Sequence, residues 1–465
     1  MNSHQTRRAP VIAAAAIAII AGLGLASGPV RAETTPTSPI RHFISLLQEN
    51  HTFDNYFGTF PGVDGIPPGT CMPKDPTNPA LGCVEPFKLG GRPVLDLSHS
   101  RATFDGQYRG GAMDGFVAAH GGVDLAMGYY DGEDLPYYWN LAEQFVLFDR
   151  FFSSSAGGSV VNHVYWVAGQ PGPRPDSIPP NGLEVETIFD RLQAAGISWK
   201  FYVQNYDPTI TYRNLAGQGD RASQVIWAPL LSIPRFIDDP ELASHIVDLD
   251  EYYDDLNNGT LPAVAYMVPS GASEHPPGSL VSGQRFVQTL INALIRSSAW
   301  EESAFLLSYD DWGGWYDHVA PPQIDRFGYG FRVPGMLISP YAKRGFVDNT
   351  ELDFTSIIRF VEVNWGLETL GGRVAGANSF DNAFDFASGP RAPVFIGADR
   401  VVQRTADEPN RPILYLAYAA SITLAVLMVL LAVIRERGIR ALLRHVRTRR
   451  GPGDDAASAA GEDTA

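Results

Sequence analysis

Residues 41–54 read Arg41-His42-Phe43-Ile44-Ser45-Leu46-Leu47-Gln48-Glu49-Asn50-His51-Thr52-Phe53-Asp54. A short apolar run stops abruptly in carboxylate, amide and imidazole groups. Short apolar runs bounded by turn residues mark strands buried on both faces of a parallel sheet. The pattern returns at 263–268, at 335–339, and at 304–309, where the run ends in Asp310-Asp311-Trp312-Gly313-Gly314-Trp315-Tyr316-Asp317-His318. Between these runs, segments 136–144, 160–168, 185–195, 283–297 and 355–365 carry apolar residues at three- and four-residue spacing, which predicts helices. Strands alternating with helices predict an α/β domain with a mainly parallel sheet. Ligands of such sheets gather at the carboxyl ends of the strands, so the polar clusters after the runs are the places to look for chemistry.

The 465 residues are 45% hydrophobic and 18% charged, which excludes a disordered chain. The formal charge is −16. Setting aside residues 1–32 and 435–465, the body holds 25 basic and 46 acidic residues, a net of −21, the opposite of a nucleic-acid footprint. No Walker A, G-x-S-x-G or H-E-x-x-H pattern occurs.

Both ends look like addresses. Arg7-Arg8, an apolar run over 11–26 and small residues before position 33 predict a secretory signal over 1–32, with Sec and twin-arginine export both open. Segment 413–434 is apolar, uncharged and long enough to span a bilayer, and Arg435 begins a cluster of seven arginines of the kind retained on the cytoplasmic side. The expected organisation is a signal (1–32), one catalytic or binding domain outside the cytoplasmic membrane (33–387), a linker (388–412), a transmembrane helix (413–434) and a basic cytoplasmic tail (435–465). Cys71 and Cys83, outside the cytoplasm by this topology, are expected to close a short disulfide loop.

Glu49 and Asn50 at one predicted strand end supply hard oxygen donors for a divalent cation, and a solvated turn is the plain alternative. Asp310 and Asp311, adjacent after a buried strand, repel unless a cation or proton lies between them. Gly157-Gly158-Ser159 leads into an apolar helix whose N-terminus would stabilise an anion, with Asn162 and His163 about one turn on; an N-cap serine explains the same residues. His99, His275 and the Asp317-His318 pair lie in polar or proline-rich settings, where histidines are usually ordinary loop residues.

In order, these segments resemble the bacterial phosphoesterase family that contains phospholipases C and respiratory-burst-inhibiting acid phosphatases, within the alkaline phosphatase-like fold. The carriers are Gln48 to Gly58, Asp96 to His99 with Met113 to Phe116, Gly157-Gly158-Ser159 with Asn162-His163, Ser273 to Pro277, Tyr309 to His318 with Pro321-Pro322, and Phe331 to Pro334 with Ile338 to Pro340. The resemblance implies a three-layer α/β sandwich with a mainly parallel central sheet. It further implies that Glu49, Asn50, Asp310 and Asp311 hold a divalent cation, with the Ser159 hydroxyl as fifth ligand and nucleophile. Asn162, His99, His275 and His318 would donate to phosphoryl oxygens or protonate the leaving alkoxide, and water would hydrolyse a phosphoserine. Oxygen donors without Cys suit calcium, magnesium, manganese or iron, with zinc open.

Two departures bear on substrate. Phospholipase C members usually have Thr followed by Pro-Asn-Arg where this chain has Ser159, Val160, Val161, Asn162 and His163, a version closer to the acid phosphatase branch. Phe354 stands where members often carry His. A phosphate monoester and a phospholipid are therefore both expected substrates, with no nucleic-acid partner. A sulfatase would need a C/S-x-P-x-R context that Ser159 lacks. The alternative from another class is a membrane-tethered surface binding protein with a degenerate site.

Overall fold

The computed structural model describes residues 35–91, 94–172, 177–400 and 411–449. The predicted signal over 1–32 and the end of the tail, 450–465, lie outside the described residues. Eight strands form the central sheet: β1 (His42–Gln48), β2 (Val146–Phe148), β3 (Trp199–Val203), β4 (Ile246–Asp248), β5 (Val264–Val268), β6 (Ser303–Tyr309), β7 (Gly335–Ile338) and β8 (Phe346–Asp348), in the order β8-β2-β7-β6-β1-β5-β3-β4. All pairings are parallel except the two made by β7. The fold is mixed α/β, with helices packed about one large, mainly parallel sheet.

β1 lies near the middle because it is apolar on both faces: Phe43, Ile44, Leu46 and Leu47 have no exposed surface. It runs parallel to β6 in a register that pairs Gln48 with Tyr309. The two polar clusters after these strands therefore emerge side by side. The five predicted helices form as α1 (Pro136–Gln144), α2 (Ser159–Ala168), α3 (Ile188–Ala195), α4 (Leu280–Arg296) and α5 (Phe354–Trp365). α5 shows why such segments stop where they do. Asp353 and Ser356 make a reciprocal capping box at its start, and Gly366 ends it at φ 61.

Residues 335–339, expected to run parallel like the others, form β7, antiparallel to both neighbours. A parallel return needs a crossover, usually helical, and the described segment 310–334 contains no helix, so the chain comes back antiparallel. Cys71 and Cys83 are disulfide-bonded with Cα atoms 5.4 Å apart. The stretch expected to be a linker from 388 begins with contacts to the body: the Arg391 guanidinium donates to Gln144 O, Arg400 pairs with Glu143, and Ile396 is buried.

The C-terminal unit is a helix, α6 (Arg411–Arg449), of 39 residues. Its stretch Tyr415–Arg435 is long and apolar enough to cross a membrane by length and composition. The basic segment after 434, expected as a tail, continues the helix through Arg449.

Candidate active site

Three loops meet at the carboxyl ends of β1 and β6. Asp310 N–H donates to Gln48 O (3.0 Å), and Asn50 N–H donates to Asp310 Oδ1 (3.0 Å), so the two strand tips are laced together. Asn50 sits at φ 65, a left-handed conformation that asparagine tolerates. Gly313, at φ 58, passes so close that a Cβ there would lie 2.3 Å from Asn50 O. No other residue permits that approach. The third loop ends in Ser159, the first residue of α2, whose Oγ donates to Asp311 Oδ2 (3.3 Å); Asp311 Oδ1 accepts from Gly313 N–H (2.8 Å).

At the centre is a group of buried polar atoms without hydrogen-bond partners: both Glu49 carboxylate oxygens, Asn50 Oδ1, Asp310 Oδ2 and His163 Nε2. Orphaned buried acceptors cost about 1–3 kcal/mol each, so their convergence calls for a positive group. Burial, then the charges of Asp310 and Asp311, push the Glu49 carboxyl well above its ordinary range. A cation between these carboxylates would relieve their mutual repulsion. Glu49, Asp310 and His163 place ligand atoms within 4.8 Å of one another. The donor set thus fits a divalent cation.

His163, which the sequence offers only as part of the motif following Ser159 and not as a ligand, faces the site. Its Nδ1–H donates to Ser159 O (2.9 Å), and Nε2 lies 3.2 Å from Glu49 Oε1. Burial pulls its pKa down, against the opposing charge of Asp310 and the contact with Ser159 O.

The other sequence-derived residues divide. His99 accepts from Asn50 Nδ2 at Nε2 (3.2 Å) and donates from Nδ1 to Leu97 O (2.8 Å). Its ring lies 5.8 Å from that of His275, so both line the Asn50 side of the site. Asn162 is turned the other way. Its Nδ2 lies within 3.3 Å of the Ser155, Gly157 and Gly158 carbonyls, and its Oδ1 accepts from Ser155 N–H. It braces the glycine turn before Ser159 instead of facing a substrate.

His318 lies in a separate buried network. Asp54 accepts from the His318 backbone N–H and Arg332 Nη2 and lies 2.7 Å from His318 Nδ1, while His318 Nε2 reaches Asp64 Oδ1 (3.1 Å). Burial pulls His318 down, but the hydrogen bond and charge of Asp54 outweigh it and its pKa ends above the ordinary value. With both nitrogens engaged, His318 is not brought to Ser159 by any described contact. Fully buried Arg332 ties this network together, donating to Asp317, Asp54, Asp64 O and Asp149 O. Phe354, at the position where a histidine was noted as usual, is buried against Phe151.

Beside the site, buried Glu274 accepts hydroxyl hydrogen bonds from Tyr56, Tyr138 and Tyr309. Burial outweighs these three donors and pushes its carboxyl up to about 7.

The sequence model of the Phosphoesterase family matches residues 40–368. The chain belongs to the Phosphoesterase family. As a phosphoesterase it is a hydrolase acting on phosphoric ester bonds. Phospholipase C B of Mycobacterium tuberculosis is 27% identical to it, covering 83% of this chain and 86% of its own length. Hemolytic phospholipase C of Pseudomonas aeruginosa is 27% identical over 70% of this chain and 53% of its own. Non-specific phospholipase C6 of Arabidopsis thaliana is 25% identical over 80% and 77%. Among solved structures, an alkaline phosphatase superfamily protein from Vibrio parahaemolyticus covers 76% of this phosphoesterase and 73% of its own chain at 12% identity, with a TM-score of 0.35.

Proposed function

We propose that this phosphoesterase hydrolyses its ester through a Ser159 nucleophile and a phosphoserine intermediate, with phospholipid head groups as the leading substrate class. The observation that carries the reading is the Ser159 hydroxyl at a helix start, 3.3 Å from Asp311 and beside the orphaned oxygens of Glu49, Asn50 and Asp310. A divalent cation held by these residues supplies charge neutralisation at the phosphoryl group and a lowered hydroxyl pKa. Asp311 Oδ2, already accepting from Ser159 Oγ, takes the proton as the Ser159 oxygen attacks phosphorus. The N-terminal N–H groups of α2 receive phosphoryl oxygens. His275 donates from Nδ1 to Pro276 O (2.8 Å), so its Nε2 acts as the acid only in the doubly protonated ring, giving that proton to the departing alkoxide, and the neutral ring then takes a proton at Nε2 from the water that cleaves phosphoserine. His99, held at both nitrogens, orients Asn50.

The names of the relatives support a phospholipase C reaction, whereas the Ser159 to His163 motif is the feature that favours a monoester. We place the catalytic domain outside the cytoplasmic membrane, anchored by the apolar stretch Tyr415–Arg435 with its arginine-rich end cytoplasmic. The test is turnover of para-nitrophenyl phosphate beside para-nitrophenyl phosphorylcholine by the full chain with divalent metal. Faster diester cleavage supports the phospholipase reading, and faster monoester cleavage replaces it with a phosphatase. Ser159→Ala is expected to lower kcat by at least about four orders of magnitude, a loss of the size seen for removed nucleophiles. Undiminished turnover by a folded Ser159→Ala protein refutes the mechanism.

A further inference from the structure

The donors read from the sequence are all oxygens, and oxygens alone do not choose among divalent ions. The structure adds a nitrogen. We propose that His163 Nε2 is itself a ligand of the cation, so that the site selects a first-row transition ion such as manganese, iron or zinc over magnesium and calcium. The inference rests on the reading that a divalent cation occupies this site.

The tautomer of His163 follows from geometry. Ser159 O can only accept, so the contact at 2.9 Å places a proton on Nδ1 and leaves Nε2 as the nitrogen available to a metal. Nε2 is fully buried, has no hydrogen-bond partner, and lies 3.2 Å from Glu49 Oε1. Two acceptors at that distance repel unless something positive lies between them. A single proton on Glu49 can serve only one of the contacts it makes with His163 and Asp310. A cation can be shared by Glu49, Asp310 and His163, whose ligand atoms lie within 4.8 Å of one another. The spacing also suits one, because ligands about 2.1 Å from a metal lie roughly 3 Å from their neighbours.

An imidazole changes which ion is preferred. Magnesium and calcium take oxygen donors and gain little from nitrogen, whereas manganese, iron and zinc accept imidazole in the ascending affinity order of the first row. The helix holding His163 also holds Ser159 one turn earlier, so α2 would deliver both the nucleophile and the selecting ligand.

The test is metal loading of the full chain in detergent, stripped with chelator and dialysed against equal concentrations of manganese, zinc, magnesium and calcium. The expected result is one transition ion per chain, with magnesium and calcium below it by a factor on the order of 10 or more. His163→Gln is expected to weaken the transition ion on the order of 10- to 100-fold, the range for disturbing a metal's ligand sphere, while magnesium affinity stays unchanged. Spin-echo modulation of the manganese-loaded wild-type protein should show directly coordinated imidazole nitrogen, a readout needing neither activity nor a folded variant. Equal uptake of magnesium or calcium, or no nitrogen modulation, overturns the proposal and leaves the phosphoesterase reading standing. Failure to bind any divalent ion overturns both.

Discussion

Replacing Glu274 by glutamine should change the pH dependence of folding more than it changes folding at any one pH. The buried carboxyl is pushed up to about 7 from an ordinary 4.5. Below pH 4.5 both the folded and unfolded chains hold the proton, so the group costs nothing. Between 4.5 and 7 the unfolded chain releases it while the folded chain keeps it, so stability falls as pH rises, and the loss levels off above 7. A shift of this size corresponds to about 3 kcal/mol at 1.36 kcal/mol per unit. Glutamine keeps the shape and does not titrate, but it presents one acceptor oxygen where the carboxylate presents two. Some tyrosine hydroxyl contact is therefore lost, at about 1 kcal/mol independent of pH. The constant offset and the pH-dependent part separate cleanly. Urea unfolding of both proteins between pH 4.5 and 8.5 should show the wild type losing about 3 kcal/mol relative to Glu274→Gln across the range. Contributions from Glu49 and other raised carboxyls are common to both proteins and cancel. Parallel profiles would refute the reasoning, since they would mean Glu274 is ionised in the folded chain throughout.

Arg332→Ala should destabilise the domain by about 3–5 kcal/mol, because it leaves Asp54 and Asp317 as uncompensated buried charges; chemical denaturation measures this, and a change below 1 kcal/mol would contradict the network described. Gly313→Ala should cost about 1–3 kcal/mol of backbone strain. Because the added Cβ would press on Asn50 O, it should also weaken divalent-cation binding, read by calorimetry.

The strand ends at Gln48 and Tyr309 were legible because each breaks sharply from an apolar run buried on both faces to a cluster of ligand atoms, a transition that periodicity alone exposes. β2, β4 and β8 were not, being three residues each and too short to show a period, and β3 interrupts its aromatic run with Lys200. The direction of β7 depended on the absence of a helix in a 25-residue connection, something no local pattern announces. Ser159, Glu49, Asn50, Asp310 and Asp311 are brought together as their positions suggested. Asn162 and His318 resisted the same logic because a polar side chain's partners are chosen by the fold: one amide turns back to its own loop, and one imidazole is claimed by two aspartates. His163 and Arg332 were obscured in the opposite sense, polar groups set among apolar neighbours whose meaning appears only when the buried atoms are counted.

The loops that meet at the cation site come from distant parts of the chain: Asn50 and Asp310 are 260 residues apart. No early folding intermediate built from local contacts can assemble them, since the loop-closure cost is met only when β1 and β6 pair. On the proposed reading, capture of a cation there is one of the last events of folding, and it would draw on whatever ions surround the chain at that moment. For a chain that crosses a membrane unfolded, the ion it acquires is set by the compartment of arrival, and the cytoplasmic metal pool has no opportunity to misload it.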